Sequence, residues 1–324
     1  MLYFQPHHGH VCRFKGLTTR PFLKWAGGKG QLLGRLTAYF PKALTDGSID
    51  TYYEPFVGGG AMFFHLMQTY PIRSATLMDA NPELILTYQV VKNSVETLVP
   101  LLGQMERDFL KLSEVKRKAR FLKVREAFNK SFVGINFQTF SSSWVERAAQ
   151  LIFLNKTCFN GLFRVNRRGS FNVPFGSYLK PTILDEINLR NTSALLAKAK
   201  IQLGDFDQMR NLSARSKSKT FIYYDPPYRP LSRTANFNAY NRTAFGDPEQ
   251  KRLAQLFKDL DRKGCYQMLS NSDPKNTDSK DNFFEHLYSD YVHYLYRIPA
   301  SRSINSNAAR RGLINEIVIT NYKS

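Results

Sequence analysis

Cysteine is scarce in this chain of 324 residues: Cys12, Cys158 and Cys265 stand far apart, with no CxxC pair. That argues against a disulfide framework or a thiolate zinc site, and it fits a reducing cytosol. No run of about 18 apolar residues occurs, so no transmembrane helix is expected. The opening segment MLYFQPHHGHVCRFKGLTTR has no basic stretch followed by an apolar one, so no signal peptide is expected. Its histidines, His7, His8 and His10, suit a solvated or appended tail better than a metal site. Acidic residues are in deficit as well, 26 against 46 Lys plus Arg, for a net charge of +20. Such an excess concentrates polyanions and speeds their capture. Nucleic acid is therefore the expected partner, bound with strong salt dependence; the bland alternative is a charge that serves solubility.

What is present points to a globular protein. Hydrophobic residues make up 43% and aromatics 14%, enough for one large domain or two. Three sections differ in rhythm. Residues 20–90 place glycine-rich turns after apolar runs, the pattern of strand–loop–helix units. Residues 91–185 carry long amphipathic stretches instead, VETLVPLLGQMERDFLKL and the basic KRKARFLKVREAF, both read as helices. Residues 186–324 return to alternation, with strand candidates KIQLGDF, TFIYYDPPY, YQMLSNSD, YVHYLYRI and NEIVITNY. Between them DPEQKRLAQLFKDLDRKG reads as a helix capped by Asp247, with Pro248 at its first position and Gly264 just past its end. Strand–helix alternation interrupted by a helical block predicts an α/β sheet with an inserted domain.

Four segments carry chemistry. In YYEPFVGGGAMFFHLM an apolar run meets a glycine turn, where Gly58 and Gly60 would allow close backbone approach to a ligand. It lacks the full dinucleotide fingerprint. The next apolar run ends at Asp79, 19 residues after Gly60. An acid at that spacing grips a ribose hydroxyl in doubly wound folds; a helix cap ahead of Asn81-Pro82 is the alternative. PFLKWAGGKGQLL resembles a phosphate loop but places Gly30 after Lys29, so the magnesium-holding hydroxyl of an ATPase is missing. Trp25 and Lys29 then offer a stacking face and a cation, or else core packing and a solvated amine. In FIYYDPPYRP, a strand ends in an acid followed by two prolines, which lock the backbone and leave its carbonyls free.

With these residues in place the chain resembles the Dam-type, D12-class adenine-N6 DNA methyltransferases. PFLKWAGGKGQLL, EPFVGGGAMFF, DANPEL, NKTCFNGLFRVNRRGSFNVPFG, GDF, YYDPPYRPLSRTANFNAY and RSINSN occur in that family's order, over roughly residues 20 to 310. DPPY is shared widely among amino-methyltransferases; the FNGLFRVNRRGSFNVPFG and PLSRTANFNAY blocks are far more specific. The resemblance implies a Rossmann-like methyltransferase sheet (20–90 and 186–324), an inserted and mainly helical target-recognition domain (91–185), and an N-terminal extension (1–19). It implies S-adenosylmethionine (SAM) as cofactor, held by Trp25, Lys29, Glu54, Phe56, Gly58, Asp79, Asp205, Phe206 and Asp225. It implies catalysis by Asp225, Pro226, Pro227 and Tyr228. The expected partner is duplex DNA, with no membrane, no metal and a possible companion restriction endonuclease, in a cytoplasmic, DNA-associated protein.

The chemistry fits that motif. An adenine N6 amine is a poor nucleophile, and its base must be flipped out of the duplex to be reached. Asp225 and the Pro226 carbonyl would accept from the two N6 protons, freeing the lone pair. Tyr228 would stack on the ring, and the prolines keep all three in register. Neither a metal nor a covalent intermediate is required, and the Pro-Cys nucleophile of cytosine-C5 enzymes is missing. By the same resemblance Arg164 reads a guanine, Leu162 and Pro174 touch thymine methyls, Phe159 sits at the wedge position, where the family often has tyrosine, and Asn160 belongs to the DNA-binding set. The expected target is adenine in GATC. Lys116, Arg117, Lys118 and Arg120 suit phosphates or an exposed helix face. A cytosine-N4 methyltransferase and an inactive DNA-binding relative are the alternatives.

Overall fold

The computed structural model describes residues 18–132, 134–212, 219–229, 245–301 and 313–323. His7, His8 and His10 and the segments PLSRTANFNAY and RSINSN lie outside the described residues.

Short helices α1 (Leu33–Leu36) and α2 (Lys42–Thr45) lead into β1 (Ile49–Glu54), α3 (Ala61–Thr69), β2 (Ser74–Asp79) and α4 (Pro82–Asn93). Three longer helices follow: α5 (Val95–Leu110), α6 (Glu114–Lys130) and α7 (Trp144–Thr157). Then come α8 (Glu186–Leu196), β3 (Ala199–Leu203), β4 (Lys219–Tyr224), α9 (Asp247–Asp261) and β5 (Tyr266–Ser272). The chain closes with α10 (Phe283–Leu287), β6 (Leu295–Ser301) and β7 (Leu313–Thr320). The seven strands of the described residues form one sheet in the order β3-β2-β1-β4-β5-β7-β6. All pairings are parallel except those of β7, which runs antiparallel between β5 and β6.

The strand sequences explain the layering. Side chains alternate across a strand, so Phe221 and Tyr223 of β4 enter one hydrophobic cluster while Ile222 and Tyr224 enter the other. The first cluster also holds Phe63 and Leu66 of α3 and Leu86 and Val90 of α4. The second holds Leu253, Phe257 and Leu260 of α9. A strand buried on both faces must be apolar throughout, which is why FIYY is.

Helices α5 to α7 join the first cluster: Leu98, Leu102, Phe109, Phe121, Phe128 and Phe153 belong to it with the residues of α3 and α4. In the basic helix α6, Phe121, Val124 and Phe128 are buried at helical spacing, while Lys116, Lys118, Lys123 and Lys130 stay exposed. A buried ion pair ties α7 to α4, with Arg147 Nε and Nη2 donating to Glu83 at 2.8 and 2.5 Å.

Two local expectations are corrected. The N-cap of α9 is Gly246, whose backbone N–H is taken by the Glu249 carboxylate at 3.1 Å. Asp247 lies inside the first turn, where its carboxylate binds Arg229. YVHYLYRI is a strand only from Leu295; residues Ser289–Tyr294 form a 3-10 turn. Tyr291 there packs on Phe257 at 5.0 Å and donates to Asp261, so packing overrides the alternating pattern.

Candidate active site

Parallel strands deliver their carboxyl ends to one edge of the sheet, and in open α/β sheets ligands bind there, where the strand order reverses. The reversal falls between β1 and β4. Four acids stand along this edge: Glu54 ends β1, Asp79 ends β2, Asp205 follows β3 and Asp225 follows β4.

Asp225 sits at the centre of a compact polar group. Lys29 Nζ donates to its Oδ1 at 2.5 Å and to the Tyr228 hydroxyl at 3.0 Å. Ser270 Oγ reaches the same Oδ1 at 3.5 Å and is itself bonded to the Tyr223 hydroxyl at 2.7 Å. The Tyr228 hydroxyl donates to Glu316 Oε1 at 2.5 Å, and Glu316 Oε2 lies 3.6 Å from Lys29. Lys29 is buried, so a solvated amine is ruled out for it. Burial opposes its charge, but Asp225, with smaller contributions from Tyr228, Tyr223 and Glu316, more than offsets this and holds the ammonium pKa well above its ordinary value. Burial pushes Asp225 up to about 6, against the pull of Lys29, and Glu316 adds to the rise. Tyr228 combines a tethered hydroxyl with a residue that is 38% exposed, which leaves ring surface open for stacking.

A second group surrounds the glycine turn. Asp79 accepts from the Gly58 N–H at 3.1 Å and from the Asn81 N–H at 2.9 Å. Asp79 thus braces the glycine turn, and the helix-cap alternative is corrected: the N-cap of α4 is Asn81, whose side chain accepts from the Glu83 and Leu84 N–H groups. Burial raises Asp79 to about 6 against its own backbone bonds. Gly58 has φ +46°, and a Cβ there would meet Trp25 Cδ1 at 3.0 Å; Gly60 has φ +73°, and its Cβ would meet the Tyr88 hydroxyl at 2.6 Å. The glycines are therefore required by the protein's own packing as well as by the turn. Trp25 lies over the turn and stacks on Phe163 at 5.3 Å.

Beyond the turn, Phe56, Phe206 and Phe245 form an aromatic cluster with centroids 5.3 to 5.7 Å apart. Asp205 caps the turn Phe206–Asn211 and pairs with Arg252 at 2.9 Å. Glu54 points inward: it is buried, accepts from the Tyr52 hydroxyl at 2.9 Å, and burial raises its pKa well above the ordinary range. Pro226 is buried beneath the motif, and the Pro227 carbonyl accepts from Gln250 at 3.4 Å.

The residues expected to read DNA lie on a ribbon between residues 158 and 175, closed by bridges Cys158–Phe175 and Val165–Phe171. Phe159, Asn160, Arg164 and Pro174 are exposed and Leu162 is half-buried. The Phe159 N–H binds the Pro174 carbonyl at 2.9 Å, and Arg164 Nε donates to Asn172 at 2.8 Å. Asn155 ties the ribbon to the segment before the site, exchanging bonds with both backbone groups of Lys24 at 2.9 Å and donating to the Gly161 carbonyl at 2.8 Å. No described contact joins Arg164 or Pro174 directly to Asp225; the link runs through Phe163 and Trp25.

Sequence reading missed Glu316, Ser270 and Asn155. Glu316 had a signal, being the one charged residue in the strand LINEIVIT. Ser270 and Asn155 had none, since only the fold aims them at the site. Among the described residues no His, Cys, Asp and Glu group has the arrangement of a metal site, and no helix is long and apolar enough to cross a membrane.

The sheet order, its antiparallel β7 and the acids along its carboxyl edge define a methyltransferase of the Rossmann-like α/β class. The profile of the D12 class N6 adenine-specific DNA methyltransferases matches residues 25–304, and the chain belongs to that family. It is 44% identical over 307 residues to the Type II methyltransferase M.MjaIII of Methanocaldococcus jannaschii, covering 94% of this chain and 100% of that one. It is 36% identical over 313 residues to the Type II methyltransferase M1.LlaDCHI of Lactococcus lactis subsp. cremoris, covering 94% and 96%. It is 32% identical over 300 residues to the DNA adenine methylase of Serratia marcescens, covering 92% and 97%. The enzyme is thus a DNA adenine-N6 methyltransferase.

Proposed function

We propose that this enzyme methylates N6 of adenine in duplex DNA, within GATC, using SAM and an extruded target base. The observation that carries the reading is the Asp225–Tyr228 pair at the end of β4: a carboxylate fixed by Lys29, beside a partly exposed ring whose hydroxyl is tethered.

The residues present fit SAM. Asp79, partly buried beside the turn, would accept from a ribose hydroxyl; Trp25 and Gly58 form the floor, and Phe56 and Phe206 with Asp205 flank the adenine end. Glu54, turned inward, would hold the start of α3 rather than touch the cofactor. SAM supplies an electrophilic methyl group. The protein's own part is to bind the amine: Asp225 and the Pro226 carbonyl accept its two protons, so the nitrogen lone pair leaves the ring and points toward the methyl. Fixed acceptors of this kind stabilise the charge that develops on nitrogen without reorganisation. Tyr228 holds the ring plane, and Asp225 is placed to take up the proton lost after transfer.

Residues 91–185 serve as the target-recognition part in this reading. The exposed Arg164 suits the O6 and N7 of a guanine, and Leu162 and Pro174 suit thymine methyls. Two relatives are named Type II methyltransferases, which supports a companion restriction endonuclease. The test is tritium transfer from labelled SAM to DNA, followed by nucleoside analysis and sequencing of the modified DNA. N6-methyladenine in GATC is expected. N4-methylcytosine would favour the cytosine alternative, no transfer an inactive DNA binder, and adenine methylated mainly elsewhere would remove GATC alone.

A further inference from the structure

The buried group around Asp225 holds one more carboxylate than the chemistry above uses. Glu316 is 6% exposed and lies in β7. Because β7 runs antiparallel to β5, the first half of β7 lies at the edge where the parallel strands end, with Glu316 opposite Ser272. One oxygen, Oε1, accepts from the Tyr228 hydroxyl. The other, Oε2, has no hydrogen-bond partner among the described residues, and it lies 3.6 Å from the Lys29 ammonium. A buried carboxylate oxygen without a donor is costly. An arrangement that keeps one beside a buried ammonium needs a reason.

The ligand-free geometry supplies it. Lys29 now bonds Asp225 Oδ1 at 2.5 Å, and a carboxylate engaged by an ammonium is a weaker acceptor for an incoming amine. Asp225 becomes the stronger acceptor for an exocyclic amine if the ammonium passes to another anion without leaving the site. Resting on the reading of the site given above, we propose that Glu316 is that second anion and a positioning residue of the reaction. It takes the Lys29 ammonium from Asp225 when the amine arrives, and throughout it holds Tyr228 by the hydroxyl. The shift needed is small, since Lys29 already lies between the two carboxylates.

Glu316→Gln separates the two roles. The amide oxygen still accepts from Tyr228, but the negative charge is gone and Lys29 stays on Asp225. At saturating SAM and DNA, kcat is expected to fall about tenfold or more with KM for DNA nearly unchanged, the pattern of an interaction made only in the transition state. The melting temperature checks that the variant folds. The second measurement is a cycle with Lys29→Met: if Lys29 mediates the effect, the fold-loss caused by Glu316→Gln shrinks toward one in that background. Wild-type kcat in Glu316→Gln, a loss confined to KM, or the same fold-loss in both backgrounds would overturn the proposal. A wild-type enzyme that transfers no methyl to adenine would instead sink the underlying reading.

Discussion

At the scale of single residues, the site is a problem in placing charge. Asp225 keeps its acceptor role only while ionised, yet burial has raised it to about 6 from the ordinary 3.8, and Asp79 likewise. Protonation removes the acceptor, so activity should decline as pH falls through about 6, by about tenfold per unit where one group controls the rate. Stability moves the other way. Between 3.8 and about 6 the folded state binds more protons than the unfolded chain at these two acids, so their contribution rises as pH falls. A kcat/KM profile flat down to pH 5 would contradict this assignment. Asp225→Ala should cost about a hundredfold or more in methyl transfer. The protein should still fold, because Lys29 keeps Glu316 as a counter-ion; near-normal turnover would remove Asp225 from the chemistry. Asp79→Ala should weaken SAM binding more than DNA binding, and calorimetry with unchanged SAM affinity would exclude Asp79 from the cofactor site.

At the scale of elements, the helical section is fastened to the sheet by more than apolar contact. Arg147 of α7 forms two bonds to Glu83 of α4, and its remaining nitrogen binds the Phe128 carbonyl and Ser131 hydroxyl at 2.9 and 2.7 Å. Removing one partner leaves a buried charge alone, which costs about 3–5 kcal/mol, whereas replacing both by apolar residues costs much less. Denaturant titration of Glu83→Leu, Arg147→Met and the double variant should therefore place the double variant above either single one. Equal losses that add would show that the pair is not coupled. The ribbon is the other element with a distinct test. Arg164→Ala should relax the choice at one base pair by roughly 1–3 kcal/mol, leaving the others unchanged. A uniform loss on every DNA would make Arg164 a phosphate contact.

At the scale of the whole molecule, the excess of 20 positive charges bears on how DNA is found. Affinity should fall steeply with salt, and Lys116→Ala on the open face of α6 should weaken binding to all sequences alike while flattening the slope by about one. An unchanged slope would leave that face merely solvated.

Much of this molecule is legible in the chain because its signals are local. The apolar FIYY run reads as a strand, the prolines after Asp225 must be stiff, and the glycine turn with Asp79 at its spacing closes a strand–helix unit. These depend on steric limits and side-chain period, which act between near neighbours. Other features depend on distant segments. Lys29 reads equally well as a surface amine until 196 residues of chain bring Asp225 to it. Glu316 becomes part of the site only because β7 turns antiparallel and presents its first half at the carboxyl edge. Tyr291 leaves its strand pattern because Phe257 and Asp261 hold it. Burial and charge pairing are properties of the assembled volume, so only the tertiary structure could decide which ammonium, carboxylate and ring share one site.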